Sequence, residues 1–356
     1  KAPPLNKDLL WQSLQSFFYV KGVHKNYSKS YNRILLQNYF YHNELVKQFD
    51  HFKLINKKIP KAAVLTEPEK EKIAFVIRNS MPLAMREIDT ITYLDINSLQ
   101  VFHLERGLSL ALYIAKSERQ LPMQSFVGYS LFKNGYPVSY GGSWIFGECS
   151  LFGLNILEEF RGGESKYLMT QILRVYIQLY KISYYEIETF QFGNHEALET
   201  GAFWFYYKYG FRSKNSEVNN LAFKENEKIK ANKNYKTSIA TLEKLSEYNI
   251  ALQLKNYTPV NREDIIGKIN NVIANTYKGD SAKAITDAKN YFKKNYPSKQ
   301  VLTPIQEQIF EEVALWAYAH KIEDKQRLQL LYKIIFVKSV NSIAYNKLVL
   351  KVIELS

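Results

Sequence analysis

Cysteine occurs once in 356 residues, at Cys149, so no disulfide can form within the chain and the sequence suits a reducing compartment. Histidine is scarce as well. The six (His24, His42, His51, His103, His195 and His320) lack metal-ligand spacing, so no metal site is expected. No apolar run reaches the ~18 residues that a membrane-spanning helix needs. No signal peptide is legible either, so a cytoplasmic protein without a membrane span is the expectation. Arginine is rare beside lysine: the net charge is +14, yet only 10 of the 48 basic residues are Arg. Lysines scattered among Asn, Ile and Tyr read as a solvated face, and nucleic acid is not expected as a partner. The densest basic stretch, Lys224 to Lys236, is interleaved with Glu225 and Glu227, as in an exposed helix or linker. The remaining charge excess favours anionic ligands, including phosphates.

Aromatic residues, by contrast, are plentiful, with 27 Tyr and 21 Phe, and the chain can bury sizeable cores. At about 100–200 residues per domain, two or three units are expected. The first ~60 residues carry helical spacing, over Asp8 to Val20 and Tyr31 to Phe52. Prolines after Ile59 and Glu67 bracket a linker, and Glu69 to Arg78 reads as a short helix.

The centre changes character. Thr90 to Leu94 reads as a short strand and Asn97 to Ser117 as a helix. Phe126 to Phe132 and Val138 to Phe146 are β-type runs joined by Lys133-Asn134-Gly135-Tyr136, where Asn-Gly signals a hairpin. Ser150 to Leu157 is a third run. It leads through Arg161-Gly162-Gly163-Glu164-Ser165 into a helix ending near Tyr180, with Leu168, Ile172, Val175 or Tyr176, and Leu179 as its apolar stripe. Tyr184 to Thr189 reads as a strand, Glu196 to Tyr209 as a helix stopped by Gly210, and Phe211-Arg212 as the start of a last strand. Gly141-Gly142 implies a bulge or the close approach of another group. Beyond Glu217 the pattern turns helical: Thr237 to Leu254, Arg262 to Tyr277, Ser281 to Lys294, Pro304 to His320, Lys325 to Val337 and Ser342 to Leu355. The expected units are residues 1–88, helical; 89–216, α/β; and 217–356, helical.

The Gly-rich turn carries the chemistry. Small residues at a helix start let backbone N–H groups face a ligand, and with the helix dipole they suit a pyrophosphate. Arg161 can pair with a phosphate oxygen. No Gly-Lys-Ser/Thr follows, which argues against a P-loop, and the glycine spacing does not fit a dinucleotide fingerprint.

The succession of hairpin, third strand, Gly-rich turn, helix, strand, helix and strand resembles the GNAT acetyltransferases. So do two segments. Phe160-Arg161-Gly162-Gly163-Glu164-Ser165 is similar to that family's coenzyme-A loop, Arg/Gln-x-x-Gly-x-Gly/Ala, with Gly163 at the invariant glycine and Ser165 at the small position. Phe160 stands where Arg or Gln is usual, with the basic residue one place later. Ala202-Phe203-Trp204-Phe205-Tyr206-Tyr207-Lys208-Tyr209-Gly210-Phe211 is similar to the family's Ala-x-x-x-Tyr-x-x-x-Gly-Phe segment. The resemblance covers Tyr93 to Ser213, about a third of the chain. It implies an α/β (α+β) fold with a GNAT-like mixed sheet and helical flanks, and an N- or O-acyltransferase using acetyl-CoA or another acyl-CoA on an amine or hydroxyl acceptor.

In that reading the pyrophosphate lies on the amides of Arg161, Gly162, Gly163, Glu164 and Ser165. Asn194 stands at a helix start, and the pantetheine arm bonds the backbone of Asn155, Ile156 and Leu157. Tyr206 protonates the leaving thiolate, its ordinary pKa near 10 exceeding a thiol's ~8.5; Tyr207 is the fallback. Glu148 and His195 are candidate bases, and Glu196 and Glu199 are assigned to the helix dipole. Two alternatives stand beside this one: an aminoacyl-tRNA-dependent transferase of the peptidoglycan-bridge type, and a non-catalytic binding module.

Overall fold

Asn134 and Gly135 both take positive φ, 50° and 82°, and close the hairpin expected of them. The computed structural model describes residues 28, 30–36, 38–84 and 89–355. The hairpin belongs to a sheet of β1 (Gln100–His103), β2 (Leu108–Ile114), β3 (Ser125–Lys133), β4 (Tyr136–Phe146), β5 (Cys149–Ile156), β6 (Tyr184–Ile187), β7 (Arg212–Ser213) and β8 (Ile250–Gln253). Their order is β1-β2-β3-β4-β5-β6-β8-β7, antiparallel throughout except for the parallel pair of β5 and β6. The architecture is α+β, with a mixed sheet. Before the sheet lie α1 (His51–Asn56), α2 (Glu67–Leu83) and α3 (Asp89–Thr92), and α4 (Ser165–Tyr180) links β5 to β6. Short helices α5 (Phe190–Gly193), α6 (His195–Thr200) and α7 (Ala202–Tyr209) precede β7, with α8 (Ser216–Ala231) and α9 (Ile239–Leu245) between β7 and β8. A helical array of α10 (Arg262–Tyr277), α11 (Ser281–Asn295), α12 (Pro304–Ala319), α13 (Lys325–Val337) and α14 (Ser342–Glu354) completes the chain.

Both faces of the sheet are covered. On one, α4 buries Leu168, Ile172, Val175 and Tyr176 against Phe152, Leu154, Tyr185 and Ile187. On the other, α2 buries Ile73, Ile77 and Met81 against Val101, Tyr113, Phe132 and Tyr140. The helical array has its own core around Trp316 and Leu331, which also takes in Met123 and Phe146 from the sheet's end. Polar contacts fix that junction: the Tyr345 hydroxyl donates to the Met123 carbonyl at 2.7 Å, and Asn346 Nδ2 donates to the carbonyls of Gly147 and Tyr180 at 2.9 and 2.8 Å.

Several segments depart from the pattern read in the sequence. Tyr31 to Phe52 is not helical, apart from the start of α1 at His51, in its described residues. It runs as a strap whose hydrogen bonds go elsewhere: Ile34 N–H to the Gly135 carbonyl, Phe40 N–H to Asn134 Oδ1, and Val46 N–H to Glu164 Oε1. Asp8 to Val20 lies outside the described residues. Thr90 to Leu94 is mostly the helical turn α3, with only a bridge from Leu94 to Ala115. Asn97 to Ser117 holds a hairpin instead of a helix. Arg106 and Gly107 take φ of 59° and 71° at its turn, and β2 is buried on both faces, so its apolar run carries no alternation. The helix from Glu196 to Tyr209 breaks at Gly201, where φ is 67°. Thr237 to Leu254 ends in β8 rather than in helix. Gly141 and Gly142 lie away from the register shift at Leu131/Phe132. A Cβ on Gly141 would lie 2.2 Å from the Gly153 carbonyl and one on Gly142 2.3 Å from the Phe126 ring, so these glycines admit the close approach of β5's backbone and a β3 aromatic.

Arg174, on α4, is 1% exposed and bonds the strap's end to the helix. Its Nε and Nη2 donate to the carbonyls of Lys57 and Lys58, both at 2.6 Å, and Nη1 donates to Glu105 at 2.7 Å and Gln171 at 2.9 Å. Burial works to raise the Glu105 pKa, but hydrogen bonds from Lys57 and Arg174 outweigh it and hold the carboxyl down from 4.5 to about 2. A carboxyl lowered by folding stabilises the folded state above its unfolded pKa, and that contribution is lost as pH falls from 4.5 toward about 2. In denaturant titrations, Arg174→Leu should lower stability by about 3 kcal/mol, because Glu105 loses one of its two cationic partners and the Lys57 and Lys58 carbonyls each lose a bond. Glu105→Gln should flatten the fall in stability across that pH window, and an unchanged slope would show that the cluster does not titrate with folding.

Candidate active site at the open edge of strand β5

Strands β5 and β6 pair only at Cys149–Tyr184, Ser150–Tyr185 and Leu151–Glu186. β5 continues to Ile156 with β4 on one edge and, among the described residues, no strand on the other. Alternation along β5 assigns its backbone groups. The Leu157 N–H donates to the Val138 carbonyl at 3.0 Å, and the Ser139 hydroxyl donates to the Asn155 carbonyl at 2.8 Å, so the odd positions serve β4. Leu154 and Ile156 therefore face the open edge. Two side chains already use it: Gln191 Oε1 accepts from the Leu154 N–H at 3.3 Å, and Arg161 Nε donates to the Ile156 carbonyl at 3.0 Å.

A cavity of about 330 Å³ occupies this gap, between the end of β5, the start of α4 and the helices α6 and α7. It brings together Asn155, Ile156, Arg161, Gly162, Ser165, Asn194 and Tyr206, all singled out in the sequence, and adds Phe190, Gln191 and Phe205. At the turn Gly162 takes φ of 95°, its N–H bonded to Ser165 Oγ at 3.1 Å. The N–H groups of Gly163, Glu164, Lys166 and Tyr167 have no partner among the described residues. Arg161 forms an ion pair with Glu196, whose contact is with this guanidinium rather than with the helix dipole alone. Asn194 is engaged as a cap, accepting from the Ala197 N–H at 3.0 Å and donating to the Phe190 carbonyl at 2.7 Å.

Tyr206 is 4% exposed, and its hydroxyl has no hydrogen-bond partner among the described residues. Burial pushes its pKa up, well beyond the ordinary tyrosine range, so the phenol stays neutral and is a stronger holder of its proton than the sequence implied. Tyr207 does not line the cavity; the Arg212 guanidinium stacks on its ring at 3.9 Å.

Other sequence candidates lie elsewhere. Leu157 belongs to the core under α2. Gly163 faces the strap, where a Cβ would come within 2.6 Å of Leu45. Glu164 turns its side chain away from the cavity and accepts from Lys133, from Arg106 at 3.4 Å and from the Val46 N–H at 3.1 Å. Burial opposes its ionisation, yet these partners hold its pKa below the ordinary range. Glu148 precedes the far end of β5, about 23 Å along the strand from Asn155. It is bonded to Lys255 at 2.6 Å, to the Tyr257 hydroxyl at 2.7 Å and to Ser183. Burial works to raise its pKa, and these bonds outweigh that and lower it. His195 is exposed beside Glu199, at 3.7 Å, and does not line the cavity. Neither residue is within reach to serve as a base there. Burial, reinforced by Glu263 and Glu148, pushes the Cys149 thiol up to about 12, which rules out a nucleophilic thiolate near neutral pH.

Gln191 and the Arg161–Glu196 pair were not read from the sequence. Gln191 stands between two Phe in a segment that looks like the tail of β6, and its one signal is a polar residue within an aromatic run. Among the described residues no group of three His, Cys, Asp or Glu could hold a metal ion, and no helix is long and apolar enough to cross a membrane. Compared with protein-family models, curated proteins and solved structures, the chain matches none.

The Arg161–Glu196 pair is solvent-accessible, and such pairs contribute about 0–1 kcal/mol. Glu196→Gln should therefore leave the melting temperature nearly unchanged. A large loss would mean that the pair holds the Gly-rich turn in place rather than serving a ligand.

Proposed function

We propose that the chain is an acyl-CoA-dependent acyltransferase of the GNAT type, and the open edge of β5 beside the start of α4 is the observation that carries this reading. An extended, amide-bearing arm can add to that edge as a strand would, bonding the Leu154 carbonyl and the Ile156 N–H. This shifts the backbone contacts from Asn155 and Leu157, which serve β4, to their neighbours. The adjoining turn offers free N–H groups and Arg161 for phosphates. The succession from the Asn-Gly hairpin through β5, the turn, α4 and β6 to α7 follows the order of the family that the sequence resembles.

The chemistry asked of the protein is modest. A bound acceptor nitrogen or oxygen must meet a thioester carbonyl, and positioning supplies most of the rate. Tyr206 donates a hydrogen bond to the charge that develops as the thiolate leaves. Because its proton is held tightly, hydrogen bonding rather than full proton transfer is its role. Among the described residues Glu196 is the only carboxylate lining the cavity, and it is engaged with Arg161.

A thermal-shift titration with acetyl-CoA, coenzyme A and longer acyl-CoAs tests the reading, since a ligand at 100 times its dissociation constant stabilises by about 2.7 kcal/mol. A clear shift is expected, and its ranking across chain lengths names the donor. Arg161→Gln should weaken binding at least tenfold, and Glu196→Gln should tighten it by freeing the guanidinium. Tyr206→Phe should lower turnover at least tenfold with coenzyme affinity nearly intact. No shift with any acyl-CoA at millimolar concentration would favour the tRNA-dependent or the non-catalytic alternative.

A further inference from the structure

A second cavity, of about 420 Å³, lies along the same β5–β6 seam, where Leu151 and Glu186 make the last strand pair. Its size falls at the small end of the ~300–1,000 Å³ usual for ligand sites. Trp144 and Tyr184 form aromatic walls, and the first turn of α10 brings Arg262 and Glu263 to the other side. The charges are mixed. Three carboxylates, Glu186, Glu188 and Glu263, face two cations, Lys214 and Arg262. Lys214 lies 3.7 Å from Glu186, and Arg262 Nη1 lies 3.9 Å from Glu263, while Glu188 has no ion pair among the described residues. Arg262 is anchored by Nε on the Pro122 carbonyl at 3.0 Å, which leaves most of its guanidinium uncommitted. Tyr184 is 4% exposed and packs beside Lys214, whose ammonium lies 5.2 Å over its ring and interacts with its hydroxyl.

Glu188 lines the second cavity and is bonded through its backbone to a residue of the first. Its carbonyl accepts the Gln191 N–H at 3.0 Å, and Gln191 lines the first cavity and bonds the open edge of β5. Glu188 and Gln191 are thus one turn apart in the chain, the acid lining the second cavity and the amide the first.

We propose that this second cavity takes the acyl acceptor, and that the acceptor is a small zwitterion of the amino-acid type, its ammonium toward Glu188 and its carboxylate toward Arg262. This rests on the acyltransferase reading. A simple polyamine would meet Lys214 and Arg262, and a phosphate would meet three carboxylates; one charge of each sign suits the lining. The acceptor ammonium gives one proton to Glu188, and the freed nitrogen attacks the thioester carbonyl carbon. The C–N bond forms as the C–S bond breaks, and the second nitrogen proton passes to the leaving sulfur. The products are an amide and a thiol, with the proton on Glu188 released to solvent.

The test uses the full chain in thermal-shift titrations with each common amino acid and its decarboxylated amine, without coenzyme, and separately with acetyl-CoA. At least one amino acid should raise the melting temperature while its amine does not. Arg262→Gln should remove that response and keep the acetyl-CoA response, which also reports that the variant is folded. Glu188→Gln, at an exposed position, should weaken the same amino acid at least tenfold. An acetyl-CoA shift with no amino-acid shift would overturn the acceptor assignment and leave the donor reading standing. An amino-acid shift without an acetyl-CoA shift would overturn the donor reading and keep the cavity as a binding site. Equal binding of the amine, or normal binding by both variants, would overturn the assignment of the two charges.

Discussion

β5 stays with its parallel neighbour for three residues and then goes on paired to β4 on one edge only, among the described residues. A strand inside a sheet normally has partners on both edges, because an unpaired N–H or carbonyl shielded from water is costly. Here the loss is eased by side chains. Gln191 covers one amide of the open edge and Arg161 one carbonyl. Both groups come from side chains outside the sheet, so the edge is satisfied there without a further strand. The turn before α4, the break at Gly201 and the burial of Tyr206 are all arranged around that gap.

What keeps the gap's walls still is the strap that crosses α4. Its far end is tied down by the buried Arg174, and its middle by Glu164, a residue at the start of α4. The two ends of one helix are thus clamped by a segment more than a hundred residues earlier in the chain, as the separations of 116 to 118 residues show. Glu164 illustrates a division of labour: its neighbours Gly162 and Ser165 line the cavity, while its carboxylate holds the strap.

The parts legible in the sequence were those governed by local rules. Asn134-Gly135, the stripe on α4, and the Pro- and Asn-punctuated helices of the C-terminal array follow from turn chemistry and periodicity, and they formed where expected. Long-range effects were not legible. β1 and β2 are packed on both faces and read as a helix, because strands without a polar face lose their period of two. The strap kept helical spacing, yet its backbone bonds go to Asn134, Gly135 and Glu164. At the site, the Gly-rich turn and Tyr206 were legible because their residue types are unusual. The engagement of Glu148 by Lys255 and Tyr257, from 107 and 109 residues away, was not.

The position of β8 has a consequence for how the chain is made. It lies between β6 and β7, and among the described residues β7 pairs with nothing else. A nascent chain that has emerged only as far as β7 therefore exposes one edge of β6 and leaves β7 without a partner. Until residues 250–253 arrive, that edge is open to other chains, a hazard for a sheet being built from one end to the other. Closure of the sheet must wait for α8 and α9 to emerge, so a message cut short before β8 yields a protein with a raw edge on β6.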